Sequence, residues 1–466
     1  MKPADPIAAA DLPGARRSLE DVHGSVAVPH HEAGFWEKWR AFVGPAILVS
    51  VGYMDPGNWG TDLQAGAQFK YQLMWVIGLA SLMAIFMQVI SARLGVVAGR
   101  DLAQCCRDWL PAWSRWPNWL LSEIAIGACD LAEVLGSAVA LNLLFHIPLL
   151  WAVIITGVDV LLLLGMQRFG IRGMESVVLV LIATIALCYF VELFVLPETR
   201  PSFLEMGNSF FSPHFRQPGM LFLAIGIIGA TVMPHNLYLH SALVQSRKLQ
   251  KDEPSIRSAV LFNTIDSTVA LTIAFFINAA ILVLAAMVFY GKQSVMIPGG
   301  HVINFSADSD WIRVAYLTLA PLLGTTLASS LFAIALLASG QSSTITGTLA
   351  GQVVMEGFMH WRIQPWVRRL ITRVIAILPA VIIIGLRGDS SVTDLLVLSQ
   401  VVLALQLPFA MFPLLYFTSS RKRMGRWKNG PFLMIAGWTS AILITAMDIY
   451  GLPDSLHAAW QVIVGG

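Results

Sequence analysis

The chain has 466 residues, of which 56% are hydrophobic and only 12% charged, and its mean hydropathy is +0.69. Soluble domains carry roughly 25% charged residues, so this deficit excludes a soluble globular protein and implies repeated crossing of a bilayer. A formal net charge of +2 gives no basis for a nucleic-acid partner.

Residues 1–40 are polar, with Arg16 and Arg17 among scattered acids and no apolar core before Phe42. They are expected to form a cytoplasmic tail rather than a cleavable signal peptide. About eleven hydrophobic stretches follow, centred near Asp55, Ala84, Asp130, Val158, Ala186, Met233, Phe275, Ala328, Ile377, Ala404 and Ile442. Each can cross about 30 Å of hydrocarbon. The fourth is the weakest, because Asp159 interrupts it. Cys105, Cys106, Cys129 and Cys188 follow no zinc spacing and lie mostly in or beside apolar runs, so no disulfide framework is expected.

Two stretches are broken in the middle by polar runs. The first, residues 44–68, contains Asp55-Pro56-Gly57-Asn58, and the sixth, residues 218–243, contains Met233-Pro234-His235-Asn236. Proline removes a backbone donor and clashes with the preceding turn, so each helix should be interrupted there. Freed backbone groups at membrane depth need protein or a watery cavity to satisfy them, and paired interruptions in two halves of a chain point to a transporter's binding site.

The breaks bring a carboxylate, an amide, a thioether and an imidazole to mid-membrane. A charged, unpaired Asp55 would cost about 2.5–3.5 kcal/mol there. It either caps the amides at the break or holds a cation together with Asn58, Met233 and the freed carbonyls of Gly52 and Ala230. A thioether favours softer transition ions over Mg²⁺ and Ca²⁺, which prefer all-oxygen shells. Methionine in an apolar helix is otherwise packing material; its position beside Pro234 singles this one out.

In the third stretch, Glu123, Asp130 and Glu133 are spaced by seven and three and share one helical face. They read either as an ion-pair lock to a cation such as Arg373 in the ninth stretch or as a proton relay that His240 could extend. Asp159, Glu192, Asp266 and Asp394 lie nearer span ends, where solvation or capping suffices. The run 340–357 is rich in small and hydroxyl residues, which suits close helix packing.

Lys and Arg distribution orients the chain. A cytoplasmic N-terminus gathers Arg100, Arg107, Arg115, Arg168, Arg172, Arg247, Lys248, Lys251, Arg257, Arg362, Arg368, Arg369 and the basic run 421–428 on one side, against Arg200, Arg216 and Arg387 on the other. With an odd span count, residues 452–466 are expected outside. Residues 41–197 and 218–420 are expected as inverted five-span repeats, with an eleventh span at 430–451, inside a transporter domain of residues 41–451.

The Asp55-Pro-Gly-Asn58 and Met233-Pro-His235 runs, the Glu123/Asp130/Glu133 stripe and the 340–357 segment together resemble the Nramp family of proton-coupled divalent metal transporters, over nearly all of residues 40–450. The resemblance implies an all-α polytopic membrane protein with a LeuT-like fold, discontinuous helices 1 and 6, and ten core helices plus an eleventh. It implies metal binding by Asp55, Asn58 and Met233, with the carbonyls of Gly52 and Ala230 alternating by conformational state and Gln400 joining in some states. Thr231 and Asn278 match positions that order water at the ion. His235, Glu133, Asp130, His240 and Arg373 match proton-pathway and gating positions, with Glu123 on the same stripe and Gln88 at an outer gate. Because Arg368, Arg369 and Arg373 crowd together, the arginine that pairs with Asp130 stays open.

The implied function is inward symport of Mn²⁺, and also Fe²⁺, Co²⁺ and Cd²⁺, with protons. It would run by alternating access across a bacterial cytoplasmic membrane, in a monomer that is not an enzyme and has no permanently bound cofactor. A sodium-coupled amino-acid transporter of the same fold, a metal-binding membrane enzyme and a simple channel are the competing readings.

Overall fold

A computed structural model describes residues 18–464 except 21, 31, 159–169, 196–200, 251, 297–301, 305–310, 324–325 and 389–391. Asp159, Arg16, Arg17, Arg168, Arg200, Lys251 and the last two residues therefore lie outside the described residues. Nine helices among the described residues are long and apolar enough to cross a membrane. Two further spans are built from shorter pieces.

In chain order, span 1 comprises Pro45–Ser50, a 3₁₀ turn Val51–Met54 and Pro56–Phe69. Span 2 is Met74–Ala98 and span 3 is Arg115–Phe145. Span 4 begins as Leu149–Ile155 with a turn Thr156–Val158. Span 5 is Gly170–Phe190, ending in a π-helical turn Val191–Val195. Span 6 is Met220–Val232 followed by Pro234–Leu243, and span 7 is Glu253–Val288. Spans 8 to 11 are Thr326–Met359, Pro365–Arg387, Val392–Ser419 and Pro431–Val464. The protein is thus an all-α, LeuT-like polytopic membrane protein with helices 1 and 6 discontinuous, as expected. The minor exceptions are a hairpin of Ser294–Met296 with Val302–Asn304 and a two-residue parallel pairing of Val26–Ala27 with Arg247–Lys248. All four cysteines are free and buried.

The helix contacts pair off as a five-plus-five repeat requires. Span 1 packs on span 7 as span 6 packs on span 2, and span 1 on span 5 as span 6 on span 10. Span 3 meets span 10 as span 8 meets span 5, while pairs 2 with 7, 3 with 8 and 4 with 9 map onto themselves. This puts both broken helices at the centre of the bundle.

Small residues allow that approach. A Cβ on Gly229 would lie 2.1 Å from the Gln400 carbonyl oxygen, and one on Gly136 would lie 2.1 Å from Pro56 Cβ. Asp266, on span 7, accepts from the amides of Gly44 (3.2 Å) and Ala46 (3.0 Å), so it caps the start of span 1.

One end of the bundle is strapped by the chain before span 1. Leu19 N donates to Glu356 Oε2 at the end of span 8 (2.9 Å), Glu20 pairs with Arg362, and Gly24 N donates to the Gln245 carbonyl after span 6 (3.0 Å). Val26 and Ala27 then pair with Arg247 and Lys248. Beneath this strap, Arg247 donates to Glu175 on span 5 (2.8 Å) and to the Val43 carbonyl (2.7 Å), and Arg172 also reaches Val43 (2.7 Å).

Candidate metal site at the two helix breaks

Both breaks have the same local construction. Each second half-helix starts on a proline at its first position, where the missing N–H costs nothing. Asp55 is the N-cap of Pro56–Phe69 and accepts from Asn58 N (2.9 Å), so the capping expected of this residue is present. Capping occupies only Oδ1. Oδ2 is buried and has no hydrogen-bond donor among the described residues. Met233 caps Pro234–Leu243 without a side-chain bond to the helix's backbone amides and holds φ +34°, ψ 105°. That conformation is strained for a non-glycine residue and costs on the order of 1–3 kcal/mol.

The breaks meet. Asn58 Nδ2 donates to Asp55 Oδ1 (2.7 Å) and across to the Ala230 carbonyl (3.1 Å). A Cβ on Gly52 would sit 3.2 Å from Met233 Sδ and 2.3 Å from Asn236 Nδ2, so only glycine lets the first break come this close to the sulfur. The carbonyls released by the first break are taken up by neighbours: Asn278 Nδ2 donates to Tyr53 O (2.8 Å) and Ser339 Oγ to Met54 O. Tyr53 OH donates to Val232 O (3.5 Å) on the second break.

Four buried side-chain oxygens around this junction are left without a donor among the described residues: Asp55 Oδ2, Asn278 Oδ1, Gln400 Oε1 and Asn236 Oδ1. Leaving buried acceptors unpaired is costly, whereas a cation satisfies several at once. Gln400 lies directly against the first break, since a Cβ on Gly57 would fall 1.8 Å from its Nε2. Asn278 also donates to Asn58 Oδ1 (3.3 Å). The Thr231 hydroxyl is buried beside the break and donates to Ile227 O (2.7 Å). One carboxylate, amide and carbonyl oxygens and one thioether are donor types that suit a soft-leaning divalent ion.

The third-span stripe is an ion-pair ladder. Arg368 donates to Glu123 Oε2 (2.8 Å), and Arg369 bridges Asp130 and Glu133, the latter at 2.8 Å. Arg373, one of the three arginines left open by the sequence, stands one turn farther along: its Nη1 is 4.0 Å from Glu133 Oε2 and donates to the Asp130 carbonyl at 3.4 Å. The close partner of Asp130 is therefore Arg369, because it alone projects its fork between the two carboxylates. Ser343 and Thr344, from the 340–357 segment, donate to Glu133 at 2.9 and 3.1 Å. That segment thus supplies polar contacts as well as close packing.

His235 is buried behind the second break, with Nδ1 unpartnered among the described residues. His240 joins a different group from the stripe: its Nδ1 donates to Gln88 Oε1 (2.9 Å), and Gln88 Nε2 donates to Tyr53 OH (2.7 Å). Sequence reasoning did not pick out Tyr53 or Asn236 for this site. The signal for Asn236 was present: Asp55-Pro-Gly-Asn58 and Met233-Pro-His-Asn236 share one spacing.

Residues 46–454 match the family described as natural resistance-associated macrophage protein-like, Nramp. The chain belongs to the Nramp family. Among Nramp relatives it is 50% identical to the divalent metal cation transporter MntH of Nostoc sp., over 95% of this chain and 97% of that protein. It is 47% identical to the protein of that name from Listeria innocua, over 93% and 94% of the two chains. The crystal structure of the Eremococcus coleocola manganese transporter, in complex with an aromatic bis-isothiourea substituted compound, superposes with a TM-score of 0.83. It shares 37% identity and covers 94% of this chain and 91% of its own.

Proposed function

We propose that this Nramp protein is a proton-coupled symporter that brings divalent transition ions, Mn²⁺ foremost and also Fe²⁺, Co²⁺ and Cd²⁺, into a bacterial cell across its cytoplasmic membrane. The observation that carries the reading is the junction of the two breaks, where Asn58 spans Asp55 and Ala230, Gly52 lies against Met233, and buried oxygens of Asp55, Asn236, Asn278 and Gln400 have no donor among the described residues. The transport names of the relatives support the substrate class.

The ion enters from outside, sheds part of its water and docks against Asp55, Asn58, Met233 and the Ala230 carbonyl, with Gln400 and the Gly52 region alongside. Thr231 and Asn278 order its remaining water. Rocking of spans 1 and 6 then closes the outer path and opens the inner one. A potential of 100 mV contributes about 2.3 kcal/mol per charge, so about 4.6 for a divalent ion, a bias of roughly a thousandfold or more. The proton therefore need not supply the main driving force. Asp55 hands it toward His235 and the Asp130–Glu133 pair, whose arginine partners can re-form as the charge changes.

With the N-terminal strap inside, the basic connections face the cytoplasm. Spans 1–5 (residues 41–197) and 6–10 (218–420) form the two inverted repeats, span 11 follows, and the protein works as a monomer. An amino-acid transporter is disfavoured, since a substrate carboxylate would meet Asp55 at the same junction. Uptake by proteoliposomes decides: Asp55→Asn and Met233→Ala should each sharply reduce Mn²⁺ entry, and unchanged uptake in both would overturn the assignment.

A further inference from the structure

The two breaks repeat one device. At each, an asparagine three residues after the ligand-bearing position turns its side-chain amide back onto that ligand. Asn58 Nδ2 donates to Asp55 Oδ1 (2.7 Å), and Asn236 Nδ2 donates to Met233 Sδ (3.5 Å). Proline follows the ligand residue in both runs, and in both the asparagine N–H donates back to the ligand residue: Asn58 N to Asp55 Oδ1 (2.9 Å), Asn236 N to Met233 O (3.2 Å). The contacts of spans 1 and 6 are related by the fold's internal repeat, so the correspondence is structural as well as local.

We infer that Asn236 is the positioning residue of the thioether, the counterpart on the second break of Asn58 on the first, and that it sets the preference for transition ions over Ca²⁺ and Mg²⁺. This rests on the metal-site reading above and deepens it.

Methionine is unbranched and flexible, and a sulfur free to swing cannot impose selectivity. Here two things confine it. The backbone of Met233 is held at φ +34°, and the Asn236 amide occupies one side of the sulfur, leaving the remaining lone-pair direction for an ion. The amide reaches the sulfur only because residue 52 is glycine: its nitrogen lies 2.3 Å from where a Cβ there would be. Asn236 is fully buried and its Oδ1 has no donor among the described residues. A merely packed asparagine would have paired both ends.

The test uses the full-length protein with Asn236→Leu, which keeps the branched outline with bulkier methyl groups and removes the donor, and Asn236→Asp, which keeps the shape and replaces the donor by an oxyanion. Competition of Ca²⁺ against Mn²⁺ uptake is measured in proteoliposomes, and Cd²⁺ bound to detergent-purified protein is examined by X-ray absorption for a Cd–S shell. Both variants should let Ca²⁺ compete about fivefold better, the worth of one hydrogen bond, and should weaken or broaden the Cd–S shell. Adding Met233→Ala to Asn236→Leu should change selectivity no further than Met233→Ala alone. Native selectivity with an intact Cd–S shell in both variants would overturn the inference. If Met233→Ala itself left selectivity and the Cd–S shell unchanged, the metal-site reading would fall instead.

Discussion

Gly57 presses against Gln400 so closely that a Cβ on the glycine would lie 1.8 Å from the glutamine's amide nitrogen. Span 10 therefore reaches the first break only because position 57 carries no side chain. Gly57→Ala should push Gln400 away without unfolding the bundle, since the clash is with the end of a flexible side chain. We expect Mn²⁺ uptake to fall at least about tenfold, as displacements near 1 Å at a reacting centre do, with the thermal midpoint nearly unchanged. Combining it with Gln400→Ala should add little.

Arg369 and Arg373 can be told apart by stability. Removing Arg369 leaves Asp130 and Glu133, both fully buried, without their close partner. Breaking a buried pair in this way costs about 3–5 kcal/mol. Arg369→Ala should thus lower the unfolding temperature in detergent well below that of Arg373→Ala, and Asp130→Asn should restore part of the loss. Equal effects of the two arginines would contradict the assignment of Arg369.

The strain at Met233 makes a separate prediction. Met233→Ala and Met233→Gly both remove the sulfur, but only glycine relaxes at φ +34°. The glycine variant should unfold at a higher temperature than the alanine variant, by about 1 kcal/mol in stability, while both lose discrimination against Ca²⁺ equally.

Much of this was legible in the chain because proline and charge are costly in hydrocarbon. The breaks at Pro56 and Pro234 and the stripe Glu123–Asp130–Glu133 could be found without coordinates for that reason. Span 4 was weak in sequence and is short among the described residues. The choice among Arg368, Arg369 and Arg373 was not readable, because all three fall within two turns of one helix and only its rotation decides which faces Asp130. His240 bonding to Gln88 instead of joining the stripe is likewise a matter of helix rotation. Asn236 went unrecognised because amide-to-sulfur contacts carry no charge or periodicity, although the shared spacing with Asn58 was in plain view.

The strap formed by residues 19, 20 and 22–27 gives a prediction of its own. Deleting residues 1–28, or replacing Glu356 by alanine to release Leu19, should speed maleimide labelling of Cys106, which is buried in the helix Leu102–Trp109 that bonds to the end of span 8 through Arg107 and the Gly357 carbonyl. Unaltered labelling in both would mean the strap holds nothing shut.

In the proposed transport cycle, that strap makes the two sides of the protein unequal. On the strapped side the end of span 6 is stitched to the chain ahead of span 1 by main-chain hydrogen bonds, and the end of span 8 by the Glu356 carboxylate and the Glu20–Arg362 ion pair. A tag or truncation placed ahead of span 1 would then change how long the carrier rests facing each compartment, while its grip on the ion stays the same.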